Sequence, residues 1–140
     1  MTGYRFVEEI DDRLRRDLMD LYRLEWWTDT RREDDVARML QHTDLVVGIC
    51  TEPSDQLVGF TRVLTDRVYK ALIFDVIVAQ AHRGTGLGRR LVQYVIDHPM
   101  LAEVKHVELY CKPEMIPFYE HWGFSKPGAD VNFLRMQRGG

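Results

Sequence analysis

The 140-residue chain has the size of one domain, and its 45% apolar and 29% charged residues are ordinary for a soluble globular protein. A net charge of -3 excludes a bulk electrostatic pull towards nucleic acid, and no run reaches the ~18 apolar residues of a membrane span. The first residues, Met1 to Arg5, lack the apolar stretch of a secretory signal, so the cytoplasm is the expected location, with Cys50 and Cys111 as buried thiols rather than a disulfide framework.

Tyr4 to Glu8 alternates as a first strand should. Leu14, Leu18, Leu21 and Tyr22 then recur at helical spacing, predicting a helix from about Asp12 to Glu25, and Val36, Met39 and Leu40 mark a second over Glu33 to Leu40. Leu45 to Cys50 and Leu57 to Leu64 read as a hairpin turning at Glu52-Pro53-Ser54-Asp55. Lys70 to Val78 is the most apolar run, which fits a central strand buried on both faces. A helix from Gly86 to about Asp97 carries an apolar stripe of Leu87, Leu91, Val92, Val95 and Ile96. A strand over Val104 to Cys111, a short helix over Glu114 to His121, and one or two strands within Phe124 to Met136 complete the chain. The order βααβββαβαβ(β) predicts a single α/β (α+β) layered domain over 1–140, with helices on a mixed sheet.

The junction between the apolar strand and the third helix carries the chemistry. It reads Arg83-Gly84-Thr85-Gly86-Leu87-Gly88-Arg89. Alternate glycines permit close backbone approach, the amides of a helix N-terminus point at whatever approaches, and the helix dipole favours an anion there. Arg83, Arg89 and Arg90 add positive charge. These are the elements of a phosphate or pyrophosphate seat. A Walker A loop is excluded, because the lysine and hydroxyl that must follow the second glycine are absent. The dinucleotide pattern is excluded as well, because the third glycine comes one residue early.

Arg83, Gly86 and Gly88 after a hydrophobic strand satisfy Arg/Gln-x-x-Gly-x-Gly/Ala, and Phe118-Tyr119-Glu120-His121-Trp122-Gly123-Phe124 lies downstream. On these two patches the chain resembles the GNAT superfamily of N-acetyltransferases, in element order from Tyr4 to Met136. The resemblance implies a largely antiparallel sheet with splayed central strands and helices on both faces. It implies acetyl-CoA as cosubstrate, with Val76, Ile77 and Val78 pairing with its pantetheine arm as though with an added strand. Gly84, Thr85, Gly86, Leu87, Gly88 and Arg89, with Arg83, would hold the pyrophosphate. An amide near Val76 would face the thioester oxygen as charge develops. Tyr119 would give its phenolic proton to the departing thiolate, although its aromatic neighbours also suit a packing role. The asparagine that many members carry before this tyrosine is missing from Cys111-Lys112-Pro113-Glu114-Met115-Ile116-Pro117. The register Leu-x-Cys-x-Pro-x-x-x-x-Phe-Tyr is similar to the branch acting on glucosamine phosphate.

The attacking amine must lose a proton. Asp75, a lone carboxylate in an apolar strand, is either the base or an ion-pair partner of Arg62 or Lys70, and Glu108 is the reserve. Trp26 and Trp27, between the first two helices, are expected either to line the acceptor pocket or to plug the core. Cys111 is the candidate if a covalent nucleophile is used. His42, His82, His98, His106 and His121 show no metal-ligand spacing, so no metal is expected. The expected partner is a small-molecule or peptide amine, with a homodimer possible and neither nucleic acid nor membrane involved. The arginines Arg13, Arg15, Arg16, Arg31 and Arg32 are interleaved with acids and read as a solvated face. Two other readings remain open: a longer acyl-CoA as donor, or a non-catalytic acyl-CoA-binding module.

Overall fold

A computed structural model describes residues 3–139, so of the domain expected over 1–140 only Met1, Thr2 and Gly140 lie outside it. The chain divides into two compact units, the first running to Leu109 and the second from Tyr110.

In the first unit, β1 (Gly3–Val7) leads to α1 (Asp12–Tyr22) and α2 (Glu33–Gln41). Strands β2 (Leu45–Glu52), β3 (Leu57–Thr65) and β4 (Lys70–Val78) follow, then α3 (Leu87–Ile96) and β5 (His106–Leu109). The five strands form one sheet in sequence order, antiparallel except for the parallel pair β4–β5. Asp11 starts α1 by accepting the amide of Leu14 at 2.8 Å, and the periodic residues Leu14, Leu18, Leu21 and Tyr22 are all buried.

Helices cover both faces. Tyr22 of α1 packs edge-on against Phe60, whereas Leu91 of α3 lies 3.4 Å from the place a side chain on Gly59 would begin. Residues 59 and 60 are consecutive in one strand and so point to opposite faces. The largest buried side chains, among them Tyr22, Phe60, Leu18, Ile49, Leu91 and Val36, come from α1, α2 and α3 and from the strands of the sheet. This is the expected mixed α/β sheet.

Strand β4 has two different halves. Residues Lys70 to Ile73 are paired on both sides, with β3 and with β5. From Phe74 to Val78 the β5 side has no partner strand among the described residues, while pairing with β3 continues. The change of register between Phe60 and Arg62 marks an extra residue in β4, and Asp75 there has a left-handed φ of 57°. A bulge of this kind bends the strand and re-aims its side chains.

In the second unit a 3-10 turn (Pro113–Met115) runs into a single-turn helix, α4 (Ile116–Glu120). The two prolines shorten the helix predicted over Glu114 to His121. The strands predicted within Phe124 to Met136 are not formed: residues 124–136 pair with no strand, and Val131, Phe133, Leu134 and Met136 are exposed. Alternating apolar residues cannot hold a strand without a partner ladder to bond. Cys111, expected buried, is exposed beyond the end of β5, while Cys50 is buried.

Candidate functional site

The turn after β4 is built as its glycines require. Gly84 (φ 79°) and Gly86 (φ 84°) are both left-handed, and a side chain at either would meet nothing within 4 Å. The space in front of this backbone is open. Gly86 caps α3 without any side-chain hydrogen bond, leaving the amides of the first helical turn facing outward. Thr85 folds its hydroxyl back to donate to the His82 carbonyl, and Tyr4 of β1 bonds His82 at 2.9 Å, which steadies the turn from below.

Arg83 behaves differently from the free cation the sequence suggests. Its Nε donates to the Val78 carbonyl at 3.0 Å and a terminal nitrogen pairs with Glu25 at 3.0 Å. The next amide, that of Ala79, donates to Val58 of β3 at 2.7 Å, so the Val78 carbonyl of the same peptide points to the open side. Arg83 therefore caps the last acceptor of the unpaired edge, where Val78 was expected to meet a ligand.

Asp75, at the bulge, has a side chain only 5% exposed. It accepts from both terminal nitrogens of Arg31 (2.6 and 3.2 Å), from Arg62 Nε (2.8 Å) and from the Tyr22 hydroxyl (3.0 Å). Burial alone would push its carboxyl up, but the hydrogen bonds and charges of Arg31 and Arg62 outweigh that and hold it below the usual carboxylate range. Burial, followed by the charge of Asp75, raises the Tyr22 phenol, which stays protonated. A carboxylate so occupied is a poor proton acceptor. The ion pair with Arg62 is present, and Lys70 pairs instead with Glu108 at 3.1 Å, which engages the reserve base as well.

The loop between α1 and α2 runs from one of these features to the other. Glu25 ties it to Arg83 and Arg31 ties it to Asp75, so it follows the unpaired half of β4. Between the two ties stand Trp26 and Trp27, 70% and 44% exposed and packed edge-to-face with ring centres 6.0 Å apart. They do not plug the core. The structure thus brings Trp26, Trp27, Asp75, Val76 to Val78 and the turn at 83–89 into one unit. The partners Tyr22 and Arg31 of Asp75 were not foreseen. The one available signal is an arginine four residues past a tandem tryptophan, and its acidic neighbours give it the pattern of an ordinary solvated face.

In the second unit Tyr119 is buried among Phe118, Trp122 and Phe124, each within 6.5 Å between ring centres. Burial, with a smaller contribution from Cys111, pushes its phenol up to about 12. It is thus a proton donor at neutral pH. The Cys111 thiol is also raised, by desolvation and then by Glu114, the reverse of what a nucleophilic thiolate needs.

A family model described as "Acetyltransferase (GNAT) family" matches residues 10–124. An uncharacterized N-acetyltransferase, ycf52, of Porphyra purpurea is 30% identical over 115 residues, covering 77% of this chain and 66% of that protein. The chloroplastic GCN5-related N-acetyltransferase 1 of Arabidopsis thaliana is 30% identical over 102 residues, 71% of this chain and 52% of that protein. The chain thus spans between about half and two thirds of the length of these relatives. In fold it is similar to glucosamine-6-phosphate N-acetyltransferase from Arabidopsis thaliana, with a TM-score of 0.75 at 21% identity over 94% of this chain and 98% of that one.

Proposed function

Because the chain belongs to the GNAT acetyltransferase family, we propose that it binds acetyl-CoA and passes the acetyl group to a primary amine by direct attack in a ternary complex. The carrying observation is the continuous path from the unpaired edge of β4, Phe74 to Val78, into the left-handed glycine turn at the start of α3. An extended amide-bearing chain suits the first segment by strand addition, and a pyrophosphate suits the second by amide donation and dipole.

In this reading Val76, Ile77 and Val78 hold the pantetheine arm, with Arg83 moving off the Val78 carbonyl towards the phosphates beside Gly84 to Arg89. The amine nitrogen forms a bond to the thioester carbon, the carbon–sulfur bond breaks, and the sulfur leaves with the bonding pair. Tyr119 gives the sulfur its proton and is reprotonated from solvent. That role rests on the Phe-Tyr-Glu-x-x-Gly-Phe motif and on a phenol that is protonated at working pH. The ammonium proton passes to water, since Asp75 has its oxygens filled by Tyr22, Arg31 and Arg62. Asp75 acts as a positioning residue that fixes the bulge and the Trp26–Trp27 loop.

Release of the CoA thiol from acetyl-CoA, followed with a panel of amines beside Tyr119→Phe, tests the proposal. Release stimulated by one amine class and weakened in the variant is the expected result. Acetyl-CoA that neither releases thiol with any amine nor raises the melting temperature would overturn it.

A further inference from the structure

The cluster under the bulge is not electrically balanced. One carboxylate, Asp75, faces two guanidinium groups, Arg31 and Arg62, and Tyr22 is neutral, so one positive charge is in surplus. Arg31 spends both of its terminal nitrogens on Asp75. Arg62 spends only Nε, and its two terminal nitrogens have no hydrogen-bond partner among the described residues. Its side chain is 13% exposed, and the guanidinium carbon stands 4.8 Å from the Phe74 ring centre, a cation–π contact that holds the group in place.

The Arg62 terminal nitrogens are not among the buried polar atoms left without a partner, so they face solvent, where an incoming anion can take them over from water. A planar fork of this kind matches a carboxylate or phosphate oxygen pair, and charge-assisted bonds there are the strong ones. The position is also telling. The cluster is centred on Asp75, near the start of the unpaired edge Phe74 to Val78 and immediately before Val76. We propose that Arg62, backed by Arg31, receives an oxyanion group of the acceptor, so that the substrate is an amine carrying a carboxylate or phosphate a few bonds from its nitrogen. This rests on the transferase reading and narrows it: a purely cationic amine leaves the idle donors to water.

The test uses matched pairs on the full chain: an amino acid against its decarboxylated amine, and an aminosugar phosphate against the free aminosugar. The expected result is a kcat/KM at least about tenfold higher for the anionic member of one pair, the size of one charged hydrogen bond. Which pair shows the preference identifies carboxylate or phosphate as its source. The preference should fall below about threefold in Arg62→Gln and be partly kept in Arg62→Lys, with cooperative melting of both variants as the check on folding. Equal kcat/KM within both pairs, or a preference that survives Arg62→Gln, overturns the proposal. Binding is read separately as the rise in melting temperature with the acetylated products of the same pairs. Stabilisation by an anionic product that depends on Arg62, without thiol release, keeps the oxyanion site and sinks acetyl transfer. Turnover without anionic preference does the reverse.

Discussion

The glycine turn at 83–89 and the cluster around Asp75 stand at opposite ends of the unpaired half of β4, and they prepare for negative charge in opposite ways. The turn relies on backbone: two left-handed glycines, open space in front of them, and a helix end without a side-chain cap. The cluster relies on side chains from α1, the α1–α2 loop, β3 and β4, brought together at 2.6 to 3.2 Å. The first is a local property of seven consecutive residues. The second depends on the whole fold of the unit, so damage to it should cost stability as well as chemistry.

The largest expected effect is therefore at Asp75. Asp75→Asn removes the charge that holds Arg31 and Arg62 and should cost about 3 kcal/mol of stability, read by denaturant unfolding. The pH dependence follows from the lowered carboxyl. Its contribution is present above the unfolded value near pH 4 and is lost as pH falls through the lower folded value. The variant should lack that part of the acid limb. A change below about 1 kcal/mol would make the cluster no more structural than the turn.

Next is Tyr119→Phe, which should lower kcat on the order of a hundredfold with little change in the KM for acetyl-CoA. With the phenol pushed up to about 12, wild-type activity should show no alkaline fall attributable to this group below about pH 10. An unchanged kcat would assign Tyr119 to packing with Phe118, Trp122 and Phe124.

The smallest effect sharpens the comparison, because it has the opposite sign. Glu25→Gln frees Arg83 from its partly exposed ion pair, which should change stability by less than about 1 kcal/mol. It should tighten acetyl-CoA a few fold, measured by calorimetry, as Arg83 becomes available to the phosphates. Weaker binding would mean that the Glu25 tie helps to shape the turn.

The two regions also differ in how far they could be read from sequence. The turn was legible because Arg83, Gly86 and Gly88 are fixed in spacing, and the apolar run Lys70 to Val78 was bounded correctly for the same local reason. The stripe Leu14, Leu18, Leu21, Tyr22 gave α1 its buried face. Asp75 was singled out, but its partners were not, since contacts from Tyr22 and Arg31 cross 53 and 44 residues of chain. The capping of Val78 by Arg83 depends on a side-chain direction that no spacing encodes. The strands predicted after Phe124 failed for a related reason: alternation shows that a segment can pair, and says nothing of what it pairs with.

The most direct measurement is a calorimetric titration of acetyl-CoA into the wild type and into Gly86→Val. A Cβ at this position meets nothing within 4 Å but is strained at φ 84°, and the side chain enters the open space before the amides, so the fold should persist while the cradle is lost. Binding in the wild type, weakened at least about tenfold in the variant, is the result predicted for a backbone-built pyrophosphate seat. Equal affinity in both proteins, or no binding to the wild type, would contradict it.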